Sequence, residues 1–238
     1  MRKKKGDEQV YTLELPEGVD VIGSDLSLFD PGFKGYVVDL HLPLSFKGRL
    51  VIPEGVRRID NFCFEWELIT AVSFPKSLRE IGEQAFQGCS LKELRIEGDG
   101  GKIKIETCAF EGNSQLTALT LGNCELSHSA FSGCPINRVT LTAECISPKD
   151  DDAFGFGGCY GSRDNFFGTV RDVYGGALGT YALKGKLART EYKPIQDYDE
   201  DGDDPGCSEC GGDNICFTLE GFEDDRRKSP VFEWEKVE

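Results

Sequence analysis

The sequence predicts a repeat solenoid: short parallel strands stacked into a single sheet, joined by turns and short helical or 3-10 return segments, mainly β with minor α. Three observations carry this. First, a five-residue phrase recurs as Ala85-Phe86-Gln87-Gly88-Cys89, Ala109-Phe110-Glu111-Gly112-Asn113 and Ala130-Phe131-Ser132-Gly133-Cys134. Looser copies stand at Cys63-Phe64-Glu65 and Ala153-Phe154. Second, the Phe anchors are 22, 24, 21 and 23 residues apart, a period that belongs to solenoids and arrays. Third, apolar–x–apolar triplets follow the anchors as Val72-Ser73-Phe74, Leu94-Arg95-Ile96, Leu119-Thr120-Leu121 and Val139-Thr140-Leu141, with Leu50-Val51-Ile52 ahead of the first. That alternation is the mark of a half-buried strand.

Residues 1–12 form an N-terminal tip. Its basic run Arg2-Lys3-Lys4-Lys5 is followed by Gly6-Asp7-Glu8-Gln9 where a secretory signal would carry an apolar stretch, so no export signal is read there. Repeats are expected over 13–165, irregular before residue 50. Leu15-Pro16-Glu17-Gly18-Val19 with Ile22 opens them, and an irregular unit runs from Val37 to Leu44. Between strand and anchor comes a turn, fullest in Ile52-Pro53-Glu54-Gly55-Val56 and Phe74-Pro75-Lys76-Ser77-Leu78, and Ile59 and Ile81 add a second apolar position. A unit of this size cannot bury its apolar face alone, so stacked copies must share one core. The small residues Cys63, Ala85, Ala109, Ala130 and Ala153 then stand where neighbouring coils approach closely.

Taken together, these residues resemble the BspA-type leucine-rich repeat, closely over 52–94, in the second half of the copies ending at Phe110 and Phe131, and loosely over 1–49. The resemblance covers about two thirds of the chain. It implies a leucine-rich-repeat solenoid and a bacterial surface or secreted protein acting in adhesion and binding. It also implies that Cys89, Asn113, Cys134 and Cys159 form a ladder whose small polar or thiol groups satisfy buried backbone of the neighbouring turn. The cysteines are therefore expected as buried, unpaired thiols. Residues 166–193 read as a capping segment: Val170-Arg171-Asp172-Val173 as one more strand, then Tyr174 to Tyr181, similar to the closing module of such proteins.

Residues 194–238 form an acidic, Cys-containing tail. From 191 onward sixteen Asp and Glu face five Lys and Arg, whereas the first 190 residues are nearly balanced. Asp197, Asp199, Asp201 and Asp203, with Gly202, fit the first half of a calcium loop, whose alternate oxygens converge on one point. Ser208 stands at the twelfth position and Pro194 and Pro205 flank the segment, so a solvated acidic linker is the other reading. Cys207, Cys210 and Cys216 lack a local fourth zinc ligand. The stretch from Phe217 to Trp234 reads as a hairpin about Glu220-Gly221.

A net charge of −15 gives no electrostatic reason to hold nucleic acid, and no stretch approaches the ~18 apolar residues of a membrane span. His41 and His128 stand outside any nucleophile elbow or metalloprotease motif, so no enzyme and no cofactor is expected beyond the calcium alternative. A protein or glycan partner is expected instead, with a structural or calcium-stabilised element as the alternative. Outward strand positions supply the candidate face: Val51, Ser73, Arg95, Thr120 and Thr140, flanked by Thr70, Lys92, Thr117 and Asn137. This row is polar and Thr-rich, with almost no acid in a strongly acidic chain, and so could approach an acidic or neutral partner. The competing explanation is that Thr simply suits a solvated strand.

Overall fold

A computed structural model describes residues 9–38, 47–147, 166–191, 215–220 and 232–238. Among the described residues six coils contribute a front strand and a back strand each, and β3 adds a back strand alone. In order these are β1 (Gln9–Thr12) and β2 (Val21–Gly23), then β3 (Tyr36–Val37), β4 (Gly48–Val51) with β5 (Arg58–Ile59), and β6 (Ile69–Ser73) with β7 (Glu80–Ile81). They continue as β8 (Glu93–Ile96) with β9 (Ile103–Ile105), β10 (Ala118–Leu121) with β11 (Cys124–Leu126), and β12 (Arg138–Leu141) with β13 (Cys145–Ile146). Beyond them lie helix α1 (Phe166–Asp172), β14 (Gly179–Leu183), β15 (Leu187–Glu191), β16 (Ile215–Leu219) and β17 (Trp234–Lys236).

The predicted solenoid holds, and the predicted triplets form its front: β1-β4-β6, then β8-β10-β12 continued by β14 and β17. The expectation of a single sheet needs correction. The short stretches behind the turns pair in parallel into a seven-stranded back sheet, β3-β2-β5-β7-β9-β11-β13. The reason is local. Ile59, Ile81, Ile103, Ile105 and Leu126 point inward and are almost fully buried, while Arg58, Glu80, Lys104 and Glu125 between or before them are in register on the outside. Two or three extended residues suffice to align with the coil above.

Between the sheets the Phe anchors stack into an aromatic spine. Phe64, Phe86, Phe110 and Phe131 are fully buried, with successive ring centroids 5.0, 5.3 and 5.2 Å apart. Phe154 lies outside the described residues. The spine stops at Phe64 on the other side, because the first coil carries Ser27 at the equivalent place, inside the 3-10 helix Asp25–Phe29. That first coil is nonetheless a true coil. β1 pairs in register with β4 and β2 with β5.

At the C-terminal end the strand expected over Val170–Val173 is instead the end of helix α1 and the turn after it. Phe166 and Val170, one helical turn apart, are both buried. The period of 3.6 thus overrides the β-branched residues. Phe166 packs its ring edge-on against Tyr181 and Trp234, with centroids 5.7 and 4.8 Å away. β14 then reverses direction and pairs antiparallel with β12, which closes the front sheet. The tail segment also differs from its expected hairpin: β16 pairs antiparallel with β15, while β17 adds to β14.

Candidate partner-binding face

The ladder behind the spine fixes the spacing of the face in front of it. The Cys89 thiol donates to the Phe64 carbonyl and Cys134 to that of Phe110, each at 3.2 Å. Asn113 does more. Its Nδ2 donates to the carbonyls of Phe86 (2.9 Å) and Phe110 (2.8 Å), and its Oδ1 accepts from the Leu91 N–H at 3.2 Å. Cys89, Cys134, Cys63, Cys124 and Cys145 are free thiols; Cys159 lies outside the described residues. Burial raises the Cys89 and Cys134 thiols far above the ordinary thiol range, and Cys124 is pushed up to about 12 by the same cause. Reactive thiolate is therefore scarce at neutral pH. A thiol reagent added to the native protein is expected to leave Cys89 and Cys134 unmodified until denaturant is added; rapid native labelling of either would contradict their place in the ladder.

On the front sheet the strand register brings the candidate residues into rows. Arg95, Thr120 and Thr140 are direct neighbours across β8, β10 and β12, and Ser73 pairs with Val51 across β6 and β4. Thr140 also meets Thr180 of β14, with hydroxyl oxygens 3.1 Å apart. Lys92, Thr117 and Asn137 form a second row just before the strands. It is tied by backbone bonds from Thr117 N to Lys92 O and from Asn137 N to Thr117 O, and all three are exposed. Thr70 is half-buried in β6.

Two acids that the sequence reading passed over belong to this face. A strand's outward positions step by two, so the row beside Arg95 is Glu93, Ala118 and Arg138. The flanking row of Lys92 lies one residue off the pleat, which is why Glu93 was missed. The second acid is Glu97, which forms a close ion pair with Arg95 and accepts from the Thr142 hydroxyl at 2.7 Å across an intervening coil. Gly122 lies between them, with the Glu97 Cα and Cγ 3.4 Å from where its Cβ would stand. Arg95 is thus a held cation, whereas Lys92 and Arg138 have no carboxylate partner among the described residues.

The back sheet presents a different chemistry. Arg58, Glu80, Lys104 and Glu125 alternate in sign along one row. Arg58 reaches Asp60 at 2.8 Å and Glu80 at 3.6 Å, Lys102 reaches Glu125 at 3.2 Å, and Lys104 pairs closely with Glu106. The hydrogen bond that Lys104 donates to Glu106, and then the Glu106 charge, raise the Lys104 ammonium. Exposed pairs of this kind contribute little stability, but they neutralise the face.

Of the residues named for calcium, Asp197, Asp199, Asp201 and Asp203 lie outside the described residues. Among those described, no three His, Cys, Asp or Glu side chains gather as a metal set. Nor is any described helix long and apolar enough to cross a membrane. No curated protein and no solved structure matches the chain. The family comparison does find a match: residues 46–155 carry the BspA type leucine rich repeat region in six copies. The stacked Phe anchors, the thiol and amide ladder and this match together identify residues 46–155 as a BspA type leucine-rich-repeat region.

Proposed function

We propose that this protein is a non-enzymatic interaction module that holds a protein partner on the front face of β6, β8, β10 and β12. The observation that carries the reading is the contrast between the two sheets. On the back, successive coils alternate acid and base and satisfy one another. On the front, Ser73, Arg95, Thr120 and Thr140 with Lys92, Thr117 and Asn137 make an open polar surface that repeats coil by coil. Hydroxyls and amides at fixed spacing offer adaptable hydrogen bonds to a partner. Lys92 and Arg138 supply unspent positive charge, which suits a partner presenting acidic or neutral groups.

The test is a charge reversal. Partners recovered on the immobilised full chain are measured again with Lys92→Glu/Arg95→Glu and with Lys104→Glu on the back sheet. The front double variant is expected to weaken binding by tenfold or more and the back variant to leave it unchanged. Unchanged affinity in the front variant would move the site elsewhere.

A further inference from the structure

Away from both sheet faces, the coils turn back along an edge where one position repeats. Ile22, Ile59, Ile81, Ile105 and Leu126 are register partners along the back sheet. Seven residues after each stand, in order, Phe29, Trp66, Gly88, Gly112 and Gly133. The glycines have a structural reason: their φ values are +66°, +72° and +68°, the left-handed region that glycine enters freely. Trp66 occupies the same conformation at φ +61°, where a bulky residue is an outlier. Its indole lies over Gly88, whose missing Cβ would fall 2.2 Å from the ring. It is 61% exposed.

A strained, exposed tryptophan where three later coils keep glycine contributes nothing to the core. Strain of this kind gathers at functional positions. Its neighbours deepen the contrast. Phe29 is 84% exposed, and Leu26, Leu28 and Leu68 are exposed as well, so two successive coils turn apolar side chains outward along one edge. Such grouping marks an interaction surface. The charge around it is one-sided: segments 24–30 and 61–68 contain Asp25, Asp30, Glu65 and Glu67 and no Lys or Arg. Glu67 is already partly desolvated, which raises its carboxyl.

We propose that this return edge, centred on Trp66 with Leu28 and Phe29, is a second docking site, distinct from the front face, for a basic amphipathic segment of a partner protein. The apolar side chains receive the partner's apolar stripe, with Trp66 as the anchor of a kind that dominates interface energetics. The four carboxylates receive its Lys and Arg rim. A second copy of this chain fits poorly, because it would bring the same acidic rim against itself.

The inference does not rest on the front-face reading, and the experiment keeps the two apart. A fluorescein-labelled amphipathic helix of Leu and Lys is titrated with the full chain by anisotropy, beside a scrambled peptide of the same composition and a Leu/Glu version. Trp66→Gly, which installs the residue of the later coils, is expected to weaken the Leu/Lys peptide tenfold or more. Leu28→Ser/Phe29→Ser, changed only at exposed positions, is expected to weaken it about fivefold and so serves even if Trp66→Gly folds badly. Lys92→Glu/Arg95→Glu should bind as the parent does, and the Leu/Glu peptide should not bind. Equal binding of the scrambled peptide would reduce the effect to net charge and overturn the proposal. Parent-like binding by Leu28→Ser/Phe29→Ser and Trp66→Gly together would do the same. So would self-association of the parent that these substitutions abolish, since the edge would then be a self-interface.

Discussion

Replacing Phe86 with Ala is expected to cost about 3–5 kcal/mol of stability, as aromatic-to-Ala changes in closed cores do. The position is fully enclosed. Its ring stacks on Phe110 at 5.3 Å with planes 5° apart and on Phe64 at 5.0 Å, and Phe74 meets it edge-on. The coils on both sides are held at their spacing by backbone bonds, such as Phe64 N to Ala85 O and Phe86 N to Ala109 O at 2.8 Å. A cavity there cannot collapse without breaking those bonds. Urea unfolding of the full chain reads the loss. A cost below about 1 kcal/mol would mean that the rings are not the shared core, given how closely transfer and cavity terms track burial. In a solenoid each unit is stabilised chiefly by its neighbours, so the same substitution should also broaden the transition.

The spine was legible because Phe recurs beside a small residue at a nearly fixed period, and close packing of rings demands that period. The back sheet was not legible. Arg58-Ile59 and Glu80-Ile81 offer one apolar residue each, too few for an alternation to register, and their pairing is decided by the coil above. Helix α1 misled for a different reason: Val170 and Val173 suggest a strand, while the burial that matters links Phe166 to Val170. The return of Trp234–Lys236 to β14 joins residues some fifty positions apart, and nothing local encodes it. At the candidate face, the row of Arg95, Thr120 and Thr140 could be named from the repeat alone, whereas the row of Glu93, Ala118 and Arg138 needed the pleat. The hold of Glu97 on Thr142 could not be read that way, because it crosses from one coil to another two rungs away. Trp66 was open to view as a departure from the glycine of its phrase, yet only its backbone conformation and exposure give that departure meaning.

Changing Asn113 to Ala is expected to cost about as much as losing the ring, roughly 3–5 kcal/mol, although no apolar surface is at stake. The side chain is completely buried, and it serves Phe86 O, Phe110 O and Leu91 N at once. Phe110 O keeps the Cys134 thiol, but Phe86 O and Leu91 N–H lose their partner, and each buried group so left costs about 1–3 kcal/mol. The ladder supplies its own control. At the same rung of other coils stand Cys89 and Cys134, each giving a single bond to a Phe carbonyl. Asn113→Cys should therefore regain the bond to Phe86 O, leave Leu91 N–H unserved, and fall between the parent and the Ala variant. Asn113→Asp should be the worst of the three at neutral pH. It keeps the acceptor for Leu91 N–H but turns a buried carboxylate toward two carbonyl oxygens, so its proton must be retained for the rung to close. Folding then favours the protonated acid, the folded-state carboxyl lies above its unfolded value, and the Asp variant should gain stability as pH falls toward the ordinary carboxylate range. Thermal melts of the three variants across pH decide the matter. An Asp variant as stable as the parent at pH 7 would show that the two donated bonds are not what the position provides.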